Sequence, residues 1–546
     1  MLFDTASTRS ENFLKLLDKR GLKNPQDIER FLHAGLESLQ DPFVMKGMRE
    51  AVDLIRAYAE NGKSILVHGD YDVDGVTGAA LVGKTLAALG IKHRIFLPDR
   101  VEDGYGVSES AIRNGHKEGF GLLITVDCGI TAGEKIKVAR SLGMDVIIID
   151  HHRVPDEGAP AANAVLNPRQ SDCPYEFKEL SAAGLAFKLA QALLGNKAFN
   201  FLDLAALSTV CDVAPLESEN RIIVRSGLEI LSERKNPGIK AMIESAGVKT
   251  RALNVGHLGF TLGPRINAAG RMSSPQIALQ VLMTESPKEA ASLAGILEQE
   301  NKSRQAEEKQ MIKEAIEETE RVMNFNRDRV IVVGRDGWHQ GVIGIVASRL
   351  VDKYNRPAVV IAFEDGKGKG SGRSIKSFHL YNALDACSDL FIQFGGHEQA
   401  AGLSIKQENL AAFRAKINKH AAENYKTEDF VRKINSDLTV SFKDFHAGFL
   451  EELKLIEPHG MGNPRPVFAT KNVVVKTSSE KIWENLKFWF ADEGLVYEGI
   501  ISGRMADEYL WIQKGMVLDI AYTVKAKVWN GAESLQLEIR EAKLVT

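Results

Sequence analysis

Residues 64–75 read SILVHGDYDVDG, a short apolar run that ends in a cluster of one histidine and three aspartates. The run Ile65–Val67 is continuous in apolar side chains, which is typical of a strand buried on both faces of a parallel sheet. A helix-length stretch, Gly75–Leu89, follows the cluster directly. Strand, turn and helix in this order predict one βα unit, with the acidic cluster in its turn.

The same pattern repeats along the next eighty residues. Short apolar runs alternate with helix-length stretches in the order Ile95–Leu97, Glu109–His116, Leu122–Val126, Ala132–Leu142 and Val146–Ile149. Alternation of this kind favours an α/β domain built on a mostly parallel sheet.

Two further polar clusters come directly after predicted strands. Asp127 follows Leu122–Val126, and the run Asp150-His151-His152 follows Val146–Ile149. Ligands of open α/β sheets bind in the crevice beyond the carboxyl ends of the strands, where parallel strands bring all such clusters to one edge. A fourth acid, Asp212, follows a helical apolar stretch and could close the ring.

Carboxylates gathered at one edge repel each other at neutral pH, so they become protonated, pair with cations or hold metal. Few lysines or arginines are interleaved with these clusters, which favours metal. Aspartate oxygens with one or two imidazoles, and no set of thiolates, suit Mn²⁺ or Mg²⁺ better than structural zinc. Two such ions about 3.5–4 Å apart activate water and bind a phosphate oxygen. The predicted chemistry is hydrolysis of a phosphoester.

A purely structural role for these residues is the alternative. A lone D-x-D motif is common on loops, and a lone pair of histidines is usually packed or at the surface. Here three clusters each follow a predicted strand and a fourth acid lies downstream, and this conjunction favours a metal site.

Composition sets looser bounds. Of 546 residues, 44% are hydrophobic and 26% charged, as in an ordinary globular protein. The net charge of −3 argues against nucleic acid only until metal neutralises the aspartates. No apolar run approaches the roughly 20 residues that span a bilayer, and the N-terminus lacks a secretory pattern, so a cytoplasmic protein without membrane association is predicted. The four cysteines form no C-x-x-C pair, so neither a zinc ribbon nor a disulfide framework is indicated. Cys128 and Cys211 are interpreted as buried thiols beside the site.

The remainder of the chain predicts three more regions. A helical segment runs from Pro287 to Met323, and a second α/β unit begins with the strand Arg329–Gly334. After Glu423 short alternating runs, with Asn530-Gly531 as a hairpin turn, favour a small β-barrel of the oligonucleotide-binding type. The predicted division is a helical segment 1–45, a phosphoesterase domain 46–284, a connecting helix 285–325, a smaller α/β substrate-binding domain 326–424 and the barrel 425–546.

HGDYDVDG, VDCG, DHH and the later CD resemble, in order and spacing, the four motifs of the DHH phosphoesterase family. The family pattern His-x-x-x-Asp-x-Asp falls here on His68, Asp72 and Asp74. The resemblance implies two Mn²⁺ or Mg²⁺ ions, with Asp127 as their bridge. The implied ligands are His68, Asp72, Asp74, Asp127, His151 and Asp212. Asp70 and His152 are implied to lie beside them, as catalytic or proton-handling residues.

Four other segments are similar to the single-strand exonuclease branch of the family: Gly263–Arg271, Gly337–Gly344, Gly395–Gly402 and Gly460–Pro464. The second α/β unit is thereby identified as the DHH-associated domain, whose loop would bring His397 near the scissile bond. Glycines let main-chain N–H groups approach an anion, and arginine binds phosphate bidentately.

The substrate-binding candidates come from these segments and from one arginine of the first domain. They are Arg100, Arg265, Asn267, Arg271, Ser371, Arg373, Gly395 and Gly396. Arg100, Arg271, Ser371 and Arg373 are the candidates for holding a 5′-terminal phosphate, whereas Arg265 is equally compatible with a structural ion pair. In the barrel, Trp483, Phe488, Trp489, Phe490 and Trp529 are candidates for stacking on bases, although such aromatics are more often core.

The resemblance implies a single-stranded-DNA-specific 5′–3′ exonuclease of DNA repair and recombination. It would act as a monomer, with a single-strand-binding protein and a helicase as partners. One alternative is a short-oligonucleotide or cyclic-dinucleotide phosphodiesterase of the same family, but the β-rich region after Glu423 favours a longer substrate. The other is a non-catalytic single-strand-binding relative, against which the complete metal motifs argue.

Overall fold

The computed structural model describes residues 9–99, 106–529 and 532–545. The predicted phosphate ligand Arg100 and the Asn530-Gly531 turn lie outside these ranges. By internal contacts the chain divides into two compact units. The first contains Met1–Asn301, Ser436–Ile501 and Tyr509–Thr546, and the second contains Lys302–Asn435 and Ser502–Glu508.

Three helices precede the first sheet: α1 (Glu11–Lys19), α2 (Pro25–His33) and α3 (Met48–Glu60). The Ser10 side chain caps α1 by accepting a hydrogen bond from the N–H of Phe13. Asn24 caps α2, whose first residue is a proline, so the predicted Asn24-Pro25 break is a helix start.

The first sheet follows the predicted alternation of strands and helices. Its elements are β1 (Ile65–Gly69), α4 (Val73–Ala88), β2 (His93–Phe96), α5 (Glu109–Lys117), β3 (Leu122–Val126), α6 (Gly133–Ser141), β4 (Asp145–Ile149) and the unpredicted β5 (Ala164–Leu166). The strands are all parallel, in the order β2-β1-β3-β4-β5. Gly69 pairs with Val126, and Val126 with Ile149, so the three polar clusters leave the sheet at one edge.

Seven helices complete this region: α7 (Ala182–Leu194), α8 (Leu202–Cys211), α9 (Ser218–Glu233), α10 (Pro237–Ser245), α11 (Val255–His257), α12 (Gly263–Met272) and α13 (Pro275–Met283). Helices α7 and α8 are buried along most of their length and pack against α4. A π-helical turn, Leu258–Leu262, joins α11 to α12.

The predicted connecting helix is confirmed as α14 (Pro287–Val322). Its first half contributes Ala290 and Leu297 to the core of the first region, and its second half contributes Met311 and Ala315 to a core of the second.

The second region forms a mixed sheet. Its elements are β6 (Ile331–Asp336), α15 (Ile343–Tyr354), β7 (Ala358–Glu364), β8 (Lys367–Arg373), α16 (Leu380–Asp385), β9 (Phe391–Gly396), β10 (Ala400–Lys406) and α17 (Leu410–Asn424). The order is β6-β7-β8-β10-β9, with only β6 and β7 parallel among these neighbours. The glycine-rich segment 366–372 is strand β8, where a Cβ on Gly368 would lie 2.5 Å from the ring of Phe363.

The last region is a β-barrel with added elements. They are β11 (Leu438–Thr439), α18 (Ala447–Leu455), β12 (Phe468–Val475), β13 (Glu480–Ile482), β14 (Asn485–Asp492), β15 (Leu495–Ile501), α19 (Gly503–Ala506), β16 (Val517–Trp529) and β17 (Ala532–Leu544). Pairing of β12 with β14 closes the series β12-β16-β17-β15-β14. The predicted barrel is confirmed.

Two of the aromatics proposed to stack on bases cannot do so. Phe488 and Phe490 are fully buried because they alternate inward along β14. Trp489 points outward and is 37% exposed, and Trp483 is 92% exposed. The side chain of Trp529 lies outside the described part of the structure.

The barrel region and the first α/β region pack into one unit, a coupling that the sequence did not predict. The guanidinium of Arg221 on α9 donates hydrogen bonds to the carbonyl oxygens of Leu455 and Ile456, at 2.9 and 3.0 Å. The N–H of Leu216 donates to the carbonyl oxygen of Met461 at 2.7 Å. These bonds join the segment that follows Asp212 to the segment that enters the barrel.

Candidate metal centre

The first acidic cluster lies at the N-terminus of α4. Asp72 is the N-cap, and its Oδ1 accepts hydrogen bonds from the N–H groups of Asp74 and Gly75 at 3.0 and 3.1 Å. The Asn267 side chain accepts a further bond from the N–H of Val73 at 3.2 Å. A carboxylate here is stabilised by the free N–H groups and the dipole of the helix.

Asp74 is held by a second helix. The N–H groups of Ala182 and Ala183, at the start of α7, each donate to its carboxylate at 2.7 Å. The hydroxyl of Ser208 on α8 donates to the same carboxylate. Asp74 is 2% exposed, so these three donors determine how its oxygens are oriented.

Asp127 follows β3 in a tight turn. Its φ of +62° is left-handed, and its N–H donates to the carbonyl oxygen of Ile149 at 2.9 Å. Gly129 continues the turn with a φ of +114°, and a Cβ there would lie 2.5 Å from Oγ1 of Thr125. The turn keeps the Asp127 carboxylate at the sheet edge, where it is 3% exposed.

Two histidines and their neighbouring aspartate follow β4. Oδ1 of Asp150 lies 2.8 Å from Nδ1 of His152, and Oδ2 accepts a hydrogen bond from the N–H of Ile130 at 2.9 Å. The hydrogen bond with Asp150 raises the pKa of His152 above its usual value. Asp150 thus orients His152, although we assigned it no role from sequence; its position beside two histidines was the available signal.

The clusters converge on His151. Its Nε2 lies 3.3 Å from Oδ1 of Asp127, 3.7 Å from Oδ2 of Asp74 and 3.8 Å from Oδ2 of Asp212. Nδ1 of His152 lies 3.8 Å from the same oxygen of Asp127. Among the described residues two groups can therefore each surround one ion: Asp127 with His151 and His152, and Asp74 with His151 and Asp212. His151 is common to both groups, whereas Asp127 as the bridge between two ions stays a prediction.

The other candidate ligands lie outside these two groups. His68 is fully buried at the end of β1, and its Nε2 accepts a hydrogen bond from the N–H of Ser108 at 3.0 Å. Asp70 is 3% exposed and accepts a bond from the N–H of Tyr71 at 2.7 Å. Neither these two residues nor Asp72 belongs to the two groups that the described structure brings within ligand distance.

The electrostatics of the site favour a bound cation. Burial, followed by the charge of Asp74, raises the pKa of Asp212 to about 8 and that of Asp127 well above its usual range. Burial and the charge of Asp72 raise the pKa of Asp70 to about 7. Burial lowers the pKa of His151, which leaves its imidazole neutral and able to bind metal. The donor set of carboxylates and imidazoles fits Mn²⁺ or Mg²⁺.

The neighbouring thiols do not compete for that ion. Cys128 is buried, and Cys211 adjoins Asp212 at the end of α8. Burial raises the pKa of both thiols, so they stay protonated at neutral pH. This supports their interpretation as space-filling residues.

Of the candidate phosphate ligands in the first unit, Arg265 has a structural role. Its Nε and NH2 atoms lie 2.7 Å from Oε2 of Glu298 on α14, and NH1 donates to the carbonyl oxygen of Thr261 at 2.6 Å. This supports the ion pair that the sequence left open. Arg271, in the last turn of α12, is half-buried.

Ser371 and Arg373 lie together at the end of β8. NH1 of Arg373 donates to Oγ of Ser371 at 3.0 Å. A Cβ on Gly344, in the first turn of α15, would lie 3.0 Å from both Oγ of Ser371 and NH2 of Arg373. A cation, a hydroxyl and a helix N-terminus therefore lie close together, and each of these groups can bind a phosphate.

The glycine-rich signature segment of this region is a hairpin. Gly395 and Gly396 end β9, and Gly396 has a φ of +141° that favours glycine. The N–H of His397 donates to the carbonyl oxygen of Ala400 at 2.8 Å, which leaves the imidazole exposed at the turn.

Comparison with protein families divides the chain into three matched parts. The DHH family, N-terminal domain, matches residues 64–209, the DHHA1 domain matches residues 327–423, and the RecJ OB domain matches residues 436–541.

Whole-chain comparisons agree with these matches. The chain is 39% identical over 533 residues to the single-stranded-DNA-specific exonuclease RecJ of Bacillus subtilis, covering 96% of this chain and 67% of that protein. It is 33% identical to RecJ of Escherichia coli, covering 96% of this chain and 94% of the relative. Among solved structures, RecJ from Thermus thermophilus in complex with Mn²⁺ is similar, with a TM-score of 0.84 and 28% identity over 98% of this chain and 76% of that one.

Proposed function

Because the chain belongs to the RecJ family, we propose that it is a single-stranded-DNA-specific exonuclease that hydrolyses phosphodiester bonds from the 5′ end with two divalent ions. The observation that carries the proposal is the convergence of Asp74, Asp127 and Asp212 on one imidazole, that of His151. Burial of Asp74 and Asp127 beside Asp212 costs stability through charge repulsion unless a cation is bound, which argues against a non-catalytic relative.

The chain's own residues hold and orient the reacting groups. Asp127 and His152 would hold one ion, and Asp74 and Asp212 the other. His151 would bind only one of the two, because its Nε2 has a single lone pair. Mn²⁺ or Mg²⁺ bound there supplies activation of water and neutralisation of phosphate charge. The α7 N-terminus fixes Asp74. Asp70, whose pKa is raised to about 7, can hold a proton at its carboxylate oxygen near neutral pH. His68 and Asp72 remain proposed ligands from the family motif.

The second unit would bind the strand end. Ser371 and Arg373, with the first turn of α15, are proposed to bind the 5′-phosphate. In the first unit, Arg271 and Arg100 stay separate candidates for phosphate binding. The exposed imidazole of His397 is proposed to contact the scissile region, with Gly395 and Gly396 allowing backbone approach. Asn267 is proposed to act indirectly, since its side chain holds the first turn of α4.

The remaining features of the proposal rest on the family resemblance. They are action as a monomer in the cytoplasm, and a single-strand-binding protein and a helicase as partners in repair and recombination. The domain boundaries at 46–284, 285–325, 326–424 and 425–546 are also proposed. No helix in the described parts of the chain is long and apolar enough to cross a membrane.

Digestion of a 3′-labelled single-stranded DNA, beside its duplex and an RNA copy, tests the proposal. With Mn²⁺ or Mg²⁺ we expect products that shorten from the 5′ end on single-stranded DNA only, and no products in EDTA. Cleavage confined to dinucleotides or short RNA would instead identify a short-oligonucleotide phosphodiesterase. Tight binding without cleavage would identify a non-catalytic relative.

A further inference from the structure

Phe260 is an exposed aromatic residue in an unusual backbone element. Its side chain is 87% exposed, and it occupies the middle of the π-helical turn Leu258–Leu262. π-Helical turns are rare and occur frequently at functional sites. A large apolar side chain held in water by such a turn needs an explanation, since folding alone favours its burial.

This turn packs directly on the segment that carries Asp212. Sγ of Cys211 lies 3.5 Å from the carbonyl oxygen of Leu258 and would lie 2.4 Å from a Cβ on Gly263. Asp212 itself caps the end of α8 and belongs to the metal groups. The turn that carries Phe260 therefore contacts Cys211, the residue next to Asp212 of the metal centre.

A cavity of about 740 Å³ opens beside Phe260. Its apolar lining includes Val213, Leu216, Leu228, Val255, Phe260 and Met461. Val213 and Met461 are 58% and 56% exposed, so the apolar surface is open to solvent. The volume falls within the roughly 300–1,000 Å³ of small-ligand sites.

The far wall of the cavity belongs to the entry of the barrel. Met461 lies in the turn Gly460–Pro464. Its carbonyl oxygen accepts a hydrogen bond from the N–H of Leu216 at 2.7 Å. A Cβ on Gly460 would lie 2.6 Å from Cδ1 of Leu216, so this turn is pressed against the segment that follows Asp212. The cavity is thus lined both by Cys211 and Val213, the neighbours of Asp212, and by the barrel entry, within one compact unit.

We propose that this cavity binds bases of the retained strand, on the 3′ side of the scissile phosphate, with Phe260 and Met461 as their stacking surface. This inference rests on the proposed exonuclease function. An enzyme that shortens a strand from its 5′ end keeps the rest of that strand on the 3′ side. The cavity is lined by Cys211 and Val213, which flank Asp212, and by the turn that enters the barrel. It therefore offers the retained strand a surface between the metal groups and the barrel region.

The charges around the cavity suit a nucleic-acid strand whose bases enter the cavity better than a small acidic ligand that is fully enclosed in it. Arg225, Lys454 and Arg465 line its edge, as do Glu451 and Glu457. Nζ of Lys454 lies 2.6 Å from Oε1 of Glu451, so the edge of the cavity carries charges of both signs, whereas its interior is apolar. Stacking on aromatic and apolar side chains, rather than charge, is therefore the main source of affinity, and it binds any base.

Abasic-site scanning tests this assignment. Single-stranded oligonucleotides of one sequence, each with one abasic position counted from the 5′ end, are titrated in EDTA so that no cleavage occurs. Wild-type protein should lose affinity at one or two adjacent positions. Phe260→Ala should bind the intact strand about tenfold more weakly, the order expected for one lost base stack, and should no longer respond to those abasic positions.

Controls separate a local effect from a general one. Phe260→Trp should restore both affinity and abasic sensitivity, and Leu14→Ala, which removes a 39% exposed apolar side chain from α1, should change neither. Phe260→Ala should keep the wild-type melting temperature because the side chain is exposed. If Phe260→Ala binds as wild type, or keeps every abasic sensitivity, the cavity does not hold the strand and a protein segment becomes its candidate occupant. Wild-type protein that neither binds nor cuts single strands would contradict the proposed function itself.

Discussion

A Cβ atom on Gly270 would lie 2.6 Å from the carbonyl oxygen of Tyr71. Helix α12 therefore meets the acidic loop backbone to backbone, between Asp70 and Asp72. From the same helix Asn267 accepts a hydrogen bond from the N–H of Val73. The segment Gly263–Arg271 thus packs against the acidic loop and supports its conformation, in addition to any contact with DNA.

Gly270→Ala should lower nuclease activity about tenfold to a hundredfold, because a shift of about 1 Å in a catalytic loop has effects of this size. The matched control is Gly295→Ala in α14, where nothing lies within 4 Å of the added Cβ. Alanine there should stabilise the protein by about 0.5–1 kcal/mol and leave activity unchanged. Measured kcat and melting temperature check both variants, and wild-type kcat for Gly270→Ala would show that the contact is unimportant.

The sheet and its polar edge could be predicted because the evidence is local. Each buried strand is a short apolar run, and Asp127 and His151 stand directly after two of them. Parallel register then brings the clusters together whatever the rest of the chain does. The long helix was likewise visible as a stretch almost without turn residues, and the barrel strands as short alternating runs separated by turns.

What could not be predicted depends on contacts between distant residues. Nothing in the sequence near Arg265 indicates that Glu298 will pair with it. Nothing near Arg221 indicates that it will donate a hydrogen bond to the carbonyl oxygen of Leu455. The burial of Phe488 is different. In β14, Leu486, Phe488 and Phe490 alternate with Asn485, Lys487 and Trp489, so the period of two already placed both phenylalanines on one face of the strand.

Arg265→Ala should act on stability. It removes one partner of an ion pair whose side chains are 10% and 17% exposed, which leaves Glu298 poorly solvated. We expect a loss of about 3 kcal/mol in the free energy of unfolding. The preference for a 5′-phosphorylated end should be unchanged, and a selective loss of that preference would contradict the structural role.

Arg373→Ala and Arg271→Ala should act on substrate binding. Loss of a charge-assisted hydrogen bond should raise KM for 5′-phosphorylated strands about tenfold. KM for strands with a 5′-hydroxyl should change little, and melting temperatures should stay near wild type. An equal loss on both kinds of end would remove these arginines from the phosphate site.

The raised pKa of Asp212, about 8, makes the stability of the metal-free protein depend on pH. An unfolded aspartate releases its proton near pH 4, whereas the folded protein keeps it until about pH 8. Across that window the folded state binds more protons, so rising pH favours unfolding. Asp212→Asn removes this contribution, and its melting temperature relative to wild type should increase from pH 5 to pH 8 in EDTA. A difference in melting temperature between Asp212→Asn and wild type that is the same at all pH values would contradict the raised pKa of Asp212.

Bound metal should offset the loss of stability of the metal-free protein, and Asp127 is one of its expected ligands. Mn²⁺ at about 100 times its Kd adds about 2.7 kcal/mol to a folded state that alone binds it, or about 3 °C in the melting temperature of a unit of this size. Asp127→Asn keeps a side chain that tolerates the left-handed φ of +62°, so the fold should survive. This variant should lose the metal-dependent shift and more than a hundredfold in activity, since even residues behind a ligand contribute about 10–100-fold.

Asp172→Asn is the control for that experiment, because Asp172 is an exposed acid paired with Lys46 outside the site. It should keep the full Mn²⁺ shift and the full activity, since exposed ion pairs contribute little. A melting temperature of the wild-type protein that is the same in Mn²⁺ and in EDTA would show that the converging carboxylates do not hold the ion. The raised pKa values would then reflect a protonated acid cluster, and hydrolysis would need another site.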